Sequence, residues 1–391
     1  MMTLVLSGHD PARGIPIEVT VDGGIITSVR ALPAGSVPGD RWILPGLLDI
    51  QVNGFAGIDL NGPDIDPPGV ARMLQHLQVV GVTRCCPTIC TQSHERMVRA
   101  LRVVAEACRQ YGWIQRAVAG IHVEGPYLSA EDGPRGAHPR EHVRPPDWEE
   151  FTRFQQAADG RIRIVTLAPE WPEAPEFIHR ASSAGVVVAI GHTAAQPETI
   201  RQAIGAGARL STHLGNGSHA VLPRHPNYIW EQLAADELWA SIIVDGHHLA
   251  PSVVKSFVRA KGVGRTILIS DAVALAGMPP GDYDWLGLKV RLSPEGRVGL
   301  AGTPYLAGSA LELLSALPKV VAFAGVSLAD AVAMATANPA RLLGIEARGV
   351  VEGRSADLVL ARHAPGTGQI QVLRTIVGGK TVWDQEMASN L

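Results

Sequence analysis

Three side chains of the kinds that bind catalytic zinc follow separate apolar runs: Glu124 in HVEGP, His192 in AIGHT and His213 in LSTHL. Two imidazoles and one carboxylate form a three-ligand set and leave a fourth position for water. One such His is commonly a hydrogen-bonded structural residue, but the three together predict a metal site. His122 shares the face of Glu124 one layer deeper, so we expect it to order Glu124 or a substrate group, with direct ligation as the alternative.

A second carboxylate, Asp271, follows the apolar run TILIS. The segment after it, AVALAGMPP, is a poor helix start, which argues against a helix-capping role. A metal ion lowers the pKa of water toward roughly 7, and an adjacent carboxylate can then take the proton. The same carboxylate can return that proton to a departing amine. We therefore predict that Asp271 is the general base and then the general acid.

Two neutral amides, Gln51 and Asn53, end the apolar run LLDIQVNG and point to the same side of a strand. Imidazoles there would build a second metal position, whereas amides are poor ligands for zinc. No lysine precedes Lys255, so a bridging carboxylated lysine is also absent. The pattern predicts one divalent metal per chain, Zn²⁺ with Fe²⁺ or Mn²⁺ as alternatives. We expect the amides to hold waters or neighbouring side chains, or alternatively only buried backbone groups.

The elements that position these residues alternate between short β-rich runs and helix-like stretches, which predicts βα units and a parallel sheet. A (β/α)8 TIM-type barrel takes about 250 residues and collects its catalytic groups at the carboxyl ends of the strands. A doubly wound sheet is the alternative, but no G-x-G-x-x-G follows the first run. The eight runs are LLDIQVN, VTRCCPTI, AVAGIHVEGP, IRIVTLAPE, GVVVAIGHT, ARLSTHLGN, ASIIVDGHH and TILISDA.

The flanks of this region have a different pattern, with hairpin-like sequences such as IEVTVDGGIITSVR near the start and IQVLRTIVGGKTVWD near the end. We predict a small β-sandwich domain built from residues 1–44 and 348–391. The barrel then spans residues 45–347 and carries a β insertion near 276–305.

Composition excludes several classes of protein. Of the 391 residues 46% are apolar and 18% charged, and the net charge is −3 without a basic run, so we expect no nucleic-acid partner. No apolar run is long enough to span a membrane and no signal peptide is evident, so we expect no membrane partner and a cytoplasmic location. The four cysteines, Cys85, Cys86, Cys90 and Cys108, are interpreted as reduced buried thiols early in the barrel, away from the histidines.

With these residues in place, nearly the whole chain resembles the N-acetylglucosamine-6-phosphate deacetylases of the amidohydrolase superfamily. The segments that carry the resemblance are LPGLLDIQVNG, GIHVEGPYLS, GHTAA, THLGN, VDGHHLAP, ISDAV and LAGSAL. The resemblance implies a metal on the three ligands above and a catalytic Asp271. It also implies an amino-sugar substrate, a substrate-contacting His248 that polarises the amide carbonyl, and a homodimer in which Arg224 reaches the partner's substrate phosphate. The Gln-x-Asn form of the first strand is associated with one metal.

The sequence departs from the family after His213, where Asn-Ala-Met is replaced by Asn216-Gly217-Ser218-His219. Backbone amides of Asn216 and Gly217 can still bind the sugar phosphate, because a turn of N–H groups needs no particular side chain. His138, on the loop after the third strand, is a further predicted substrate contact. Two alternatives stay open: a hydrolase of another N-acyl or cyclic amide, and a metal-free barrel used as a binding protein.

Overall fold

The computed structural model describes residues 3–285, 288–303, 306–363 and 369–388. Its strands are β1 (Leu4–Asp10), β2 (Ile15–Asp22), β3 (Ile25–Ala31), β4 (Arg41–Pro45), β5 (Leu47–Val52), β6 (Gly54–Phe55), β7 (Ile58–Asp59), β8 (Val82–Cys90), β9 (Ile121–Glu124), β10 (Ile162–Leu167), β11 (Val187–Ile190), β12 (Leu210–Ser211), β13 (Trp239–Ile242), β14 (Thr266–Leu268), β15 (Gly281–Trp285), β16 (Leu288–Leu292), β17 (Arg297–Leu300), β18 (Leu306–Ser309), β19 (Leu358–His363), β20 (Ile370–Val377) and β21 (Lys380–Asp384). Its helices are α1 (Pro67–Val79), α2 (His94–Gln110), α3 (Gly112–Ala117), α4 (Trp148–Ala157), α5 (Ala174–Ser183), α6 (Pro197–Ala206), α7 (Tyr228–Ala234), α8 (Pro251–Lys261), α9 (Leu313–Ala324), α10 (Leu328–Met334), α11 (Ala337–Leu342) and α12 (Gln385–Ala388).

Eight parallel strands form the barrel in the order β14-β13-β12-β11-β10-β9-β8-β5. The sheet closes where β5 meets the segment after β14. There Val52 and Ala272 form a parallel bridge, and the backbone N–H of Asp271 donates to the Gln51 carbonyl at 3.0 Å. The barrel predicted from the alternation of runs is confirmed, and closure places the end of β5 next to Asp271.

The helices around the barrel follow from ordinary sequence signals. In α2, Met97, Leu101, Val104 and Cys108 recur at helical spacing and are all buried. Ser93 caps the start of this helix by accepting a hydrogen bond from the Arg96 backbone N–H. Such amphipathic helices bury one face against the strands and leave the strand ends free to form a site. Among the described residues no helix is long and apolar enough to cross a bilayer.

Both ends of the chain contribute to one seven-stranded sheet, in the order β21-β20-β19-β4-β1-β2-β3. It has a core of its own, which includes Ile17, Val19, Ile26 and Ile376. The two ends are thus joined as the sequence led us to expect. That this unit is a sandwich, and that the domains divide at 44/45 and 347/348, stay predictions.

A four-stranded antiparallel sheet, β15 to β18, lies in the region of the predicted β insertion. Residues 286–287 and 304–305 of that region lie outside the described residues. The end of this sheet meets the barrel just beyond β14, because Ser309 forms a parallel bridge with Ala272 and its carbonyl accepts from the Val273 N–H at 2.9 Å. The excursion therefore supports the segment that carries Asp271.

Candidate active site

The three candidate ligands converge at the carboxyl ends of three barrel strands, β9, β11 and β12. Glu124 is the last residue of β9, while His192 and His213 lie two residues beyond β11 and β12. All three are buried, and their ligand atoms lie within 4.8 Å of one another. The Oε1 atom of Glu124 lies 2.9 Å from Nε2 of His213 and 3.3 Å from Nε2 of His192. The fold thus brings together the set selected from the strand ends.

Burial and the neighbouring ionisable groups shift the pKa values of the side chains in this cluster. Burial opposes the ionised form of Glu124, yet the adjacent imidazoles of His192 and His213 hold its pKa well below the usual range. Burial opposes the charged form of His213, but its bond to Glu124 outweighs that cost and raises its pKa. Burial, followed by the negative charge of Glu124, raises the pKa of Asp271 to about 6. A carboxylate that keeps its negative charge suits a cation ligand, and one with a raised pKa suits proton transfer.

The arrangement of His192 fits a cation. Its Nδ1 lies 2.8 Å from the Pro134 carbonyl, so Nδ1 carries a proton and the lone pair that can bind a metal ion is on Nε2. That lone pair faces the carboxylate of Glu124 at 3.3 Å. Two electron-rich atoms at this separation repel unless a proton or a metal ion is shared between them. Two imidazoles and a carboxylate are also the donor set of catalytic zinc sites, so the residues fit a divalent metal ion.

Two glycines make room for the ring of His192. A Cβ atom built on Gly217 would lie 2.5 Å from Nδ1 of His192, and one on Gly136 would lie 3.2 Å from Cε1. Both glycines have positive φ, +55° and +59°. The imidazole is therefore enclosed by the loop after β9 and the loop after β12. The contact gives Gly217 a positioning role besides the predicted backbone contact with substrate.

Three of the site residues have unusual backbones. His192, His213 and Asp271 adopt φ of 51°, 30° and 49°, and only two other non-glycine residues of the described chain have positive φ, Ala56 and Asp159. L-residues in this region cost of order 1–3 kcal/mol and persist where the surroundings fix them. Strain concentrated on these residues is typical of a functional site.

The two amides of β5 bind neighbouring side chains. Gln51 donates from Nε2 to Oε1 of Glu124 at 3.0 Å, and Asn53 donates from Nδ2 to Oδ1 of Asp271 at 2.7 Å. Both are buried. Each amide therefore holds one carboxylate of the site. From the sequence we expected these amides to bind waters or neighbouring side chains, or alternatively only backbone groups, and the structure shows side-chain contacts.

Cys90 lies beside the site, and our placement of the cysteines away from the histidines was wrong for this one. Its Sγ lies 3.0 Å from Oδ1 of Asn53 and 3.6 Å from Oε2 of Glu124. Burial, then the charges of Glu124 and Asp271, raise the pKa of the thiol well above its usual value. The feature that could have indicated this position is the register of β8 against β9. Strand β8 extends to Cys90, which pairs with Glu124.

The other two histidines near the ligands have different surroundings. His122 contacts the Ile50 carbonyl through Nδ1 at 3.1 Å and the Thr166 hydroxyl through Nε2 at 2.7 Å. Both ring nitrogens are thereby engaged, and burial lowers its pKa to about 4. His138 reaches the metal site, where its Nε2 lies 3.3 Å from Nε2 of His192. Burial and then His192 lower the pKa of His138 to about 3.

His248 is held by a carboxylate of the same loop. Its Nδ1 lies 2.5 Å from Oδ2 of Asp245, and the backbone N–H groups of His247 and His248 both donate to Oδ1 of Asp245. Burial would raise the pKa of Asp245, but its bonds to His248 lower it. The carboxylate accepts a hydrogen bond from Nδ1–H and leaves Nε2 of His248 free for a substrate. The sequence named His248 but gave Asp245 no role.

The loop after β12 is tied to the loop after β9. His219 lies 3.1 Å from Oε2 of Glu131 through Nε2 and 3.0 Å from the Tyr228 hydroxyl through Nδ1. The side chain of Asn216 turns back and donates to the His213 carbonyl at 3.1 Å. Arg224 is exposed and has no hydrogen-bond partner among the described residues of this single chain.

The chain is similar in sequence to proteins of known function. The model of the amidohydrolase family matches residues 42–382. The chain is 32% identical over 358 residues to the N-acetylglucosamine-6-phosphate deacetylase of Bacillus subtilis, covering 90% of this chain and 88% of that protein. It is 32% identical over 332 residues to the N-acetylgalactosamine-6-phosphate deacetylase of Escherichia coli O157:H7, covering 84% and 85%.

Solved structures agree with these relatives. A variant of the N-acetyl-D-glucosamine-6-phosphate deacetylase from Mycobacterium smegmatis, in complex with N-acetyl-D-glucosamine-6-phosphate, superimposes with a TM-score of 0.86 at 30% identity, over 98% of this chain and all of that one. The N-acetylglucosamine-6-phosphate deacetylase from Pasteurella multocida gives a TM-score of 0.84 at 26% identity, over 97% and 99%.

Proposed function

The chain belongs to the amidohydrolase family, within the group of the N-acetylglucosamine-6-phosphate deacetylases, and we propose that it hydrolyses the acetamide of an N-acetylated amino-sugar phosphate. N-Acetylglucosamine 6-phosphate is the proposed substrate, with glucosamine 6-phosphate and acetate as the products. The observation that carries the proposal is the convergence of Glu124, His192 and His213 beside Asp271. The relatives support a hydrolase that acts on amino sugars.

One divalent metal ion, Zn²⁺ by preference and Fe²⁺ or Mn²⁺ as alternatives, would be held by Glu124, His192 and His213. When bound, it supplies a Lewis acid that polarises the amide carbonyl and makes water a stronger acid. The amides of Gln51 and Asn53 support a single metal, since each donates an N–H to a carboxylate where a second ion would need a ligand lone pair.

The proton is moved by Asp271. Its carboxylate takes a proton from the attacking water and returns it to the nitrogen of the departing amine, so one group serves both halves of the reaction. Asn53 fixes one oxygen of Asp271 and thereby aims the other. His248, oriented by Asp245, directs Nε2 at the carbonyl oxygen, where negative charge develops. His138 and the backbone amides of Asn216 and Gly217 are the proposed sugar and phosphate contacts.

We further propose a homodimer in which Arg224 of one protomer reaches the substrate phosphate in the other. The support is that Arg224 lies exposed on the same loop as Val221, and that α7, which follows this loop, carries Trp230; Val221 and Trp230 are 86% and 54% exposed. Apolar side chains as exposed as these are typical of protein interfaces. A cytoplasmic location is part of the same proposal.

Acetate release from purified, zinc-loaded protein tests the function. N-Acetylglucosamine 6-phosphate, N-acetylgalactosamine 6-phosphate and unphosphorylated N-acetylglucosamine are compared at equal concentrations. We expect kcat/KM for a 6-phosphate to exceed that for the free sugar by about 100-fold or more, equivalent to roughly 2.7 kcal/mol. Turnover of none of them would refute the proposal, and would direct attention to another N-acyl or cyclic amide.

A further inference from the structure

We propose that Cys90 is a positioning residue that holds Asp271 in place through the amide of Asn53. The inference rests on the proposed function, because it concerns the group that moves the proton. Cys90 ends β8 and is fixed there by two contacts: its backbone N–H donates to Oδ1 of Asn61 at 2.8 Å, and its position pairs with Glu124 in the strand register.

The argument begins at Asp271. An ionised carboxylate only accepts hydrogen bonds, so the atom of Asn53 that lies 2.7 Å from its Oδ1 must be the NH₂ end of the amide. The other end of that amide is therefore an oxygen, which also only accepts. The atom at 3.0 Å from this oxygen is Sγ of Cys90, and this is the shorter of the two acceptor contacts of the thiol, so we assign its single proton to Asn53.

The thiol and the carboxylate together define one orientation of the amide. If Asn53 flipped, its oxygen would face the carboxylate and its NH₂ group would face the thiol sulfur, which is only a weak acceptor. Both bonds would be lost or weakened in that state. The backbone N–H of Asn53 also donates to the Ala272 carbonyl at 2.8 Å, so the same residue is tied to the segment that carries Asp271. Cys90 therefore restrains the direction of the carboxylate without touching the substrate.

A second acceptor lies near the thiol, Oε2 of Glu124 at 3.6 Å. A thiol proton directed there would make Cys90 act on a metal ligand instead. The two cases can be distinguished by experiment. A thiol that donates to Asn53 affects the turnover of fully metal-loaded protein, whereas a thiol that donates to Glu124 affects the amount of metal bound.

The experiment compares Cys90→Val, which removes the donor at similar volume, with Cys90→Ser, which keeps a donor. Cys90→Ala serves as a second donor-free variant if valine disturbs folding. Cys108→Val is the matched control, since it removes a thiol from a helix outside the site, where Cys108 is buried. Acetate release, its pH profile and metal per chain are measured for each variant, and the valine variant is also made on an Asn53→Ala background.

We expect Cys90→Val to lower kcat about 10-fold, the scale of one lost hydrogen bond, with KM and bound metal within twofold of the wild type. Cys90→Ser should keep kcat within about threefold, and Cys108→Val should match the wild type. On the Asn53→Ala background the valine substitution should have no further effect, as a double-mutant cycle requires for groups that act through one another. An unchanged kcat, an equal loss on both backgrounds, or loss of metal would each overturn the inference.

An infrared measurement tests the bond without any substrate. The S–H stretching band of Cys90, taken as the difference between wild type and Cys90→Val, should lie at the lower frequency of a donating thiol when compared with the corresponding Cys108 difference. Equal frequencies would overturn the inference even if the enzyme is active. If wild-type protein releases no acetate, the proposed function fails, while this band still decides whether Cys90 donates.

Discussion

Substitution of Gly217 by alanine tests whether the ring of His192 depends on the space beside it. The new Cβ would lie 2.5 Å from Nδ1 of His192, whereas ordinary contact begins near 3.4 Å, so the two atoms must separate by 3.4 − 2.5 = 0.9 Å. A displacement of this size breaks or lengthens the 2.8 Å bond from Nδ1 to the Pro134 carbonyl. It also moves Nε2 relative to Glu124.

Two costs arise, and only one is specific to the site. Alanine at positive φ costs about 1–2 kcal/mol of stability at any position. Loss of the partner that orients a metal-binding His lowers metal affinity about 10–100-fold. We therefore expect Gly217→Ala to lose that much metal affinity as well as stability, and to lose acetate release at limiting metal.

The matched control is Gly160→Ala. Gly160 has φ of +70° and nothing within 4 Å of a built Cβ atom. Alanine at this position therefore destabilises the protein only through its positive φ. Metal affinity is measured by competition with a chromogenic chelator, and stability by thermal unfolding of the metal-free proteins. If Gly217→Ala binds metal as tightly as Gly160→Ala, then the enclosure of His192 by glycine is irrelevant to the site and the reasoning is refuted.

The remaining predictions concern proton transfer, carbonyl polarisation and metal number. Asp271→Asn should keep its metal but lose about 10²–10⁴-fold in kcat, the usual contribution of a general base; comparable activity in steady-state assays would exclude that role. The pKa of Asp271 is raised to about 6, so its reactive carboxylate predominates above that pH and is lost below it. We therefore expect kcat of the wild type to fall about tenfold per pH unit well below pH 6. A rate that stays flat down to pH 4 would contradict this prediction. Asp245→Asn should lower kcat about 10²-fold, because it weakens the hydrogen bond that orients His248. Thermal unfolding should show nearly unchanged stability. A change in KM alone would show that His248 only binds substrate. The double variant Gln51→His with Asn53→His should bind two Zn²⁺ per chain by elemental analysis, and a stoichiometry still at one would show that the amides do not limit metal number.

The sequence predicted the barrel and the ligand set for one physical reason. Side chains at the carboxyl ends of parallel strands meet at one mouth, so Glu124, His192 and His213 could be grouped from strand ends alone. The position of Cys90 beside the site was missed because β8 runs one residue further than its apolar pattern indicated, which places the thiol in the layer of Glu124.

Other parts of the site had no local signal at all. The carbonyl of Pro134 orients His192 across 58 residues of sequence, and any residue type carries a backbone carbonyl. The pairing of Asp245 with His248 lies three residues apart in a loop, where neither helical nor strand periodicity applies. Contacts of this kind depend on how loops pack on the barrel, and spacing in the sequence does not encode them.

Titration of metal-free protein with Zn²⁺, followed by acetate release from N-acetylglucosamine 6-phosphate, tests most directly whether Glu124, His192 and His213 hold one metal that hydrolysis requires. The predicted result is negligible activity without metal, a linear rise to one equivalent per chain and a plateau beyond it, with Glu124→Gln recovering little at the same equivalents. Full activity in the metal-free protein, or saturation only at two equivalents, would contradict the account.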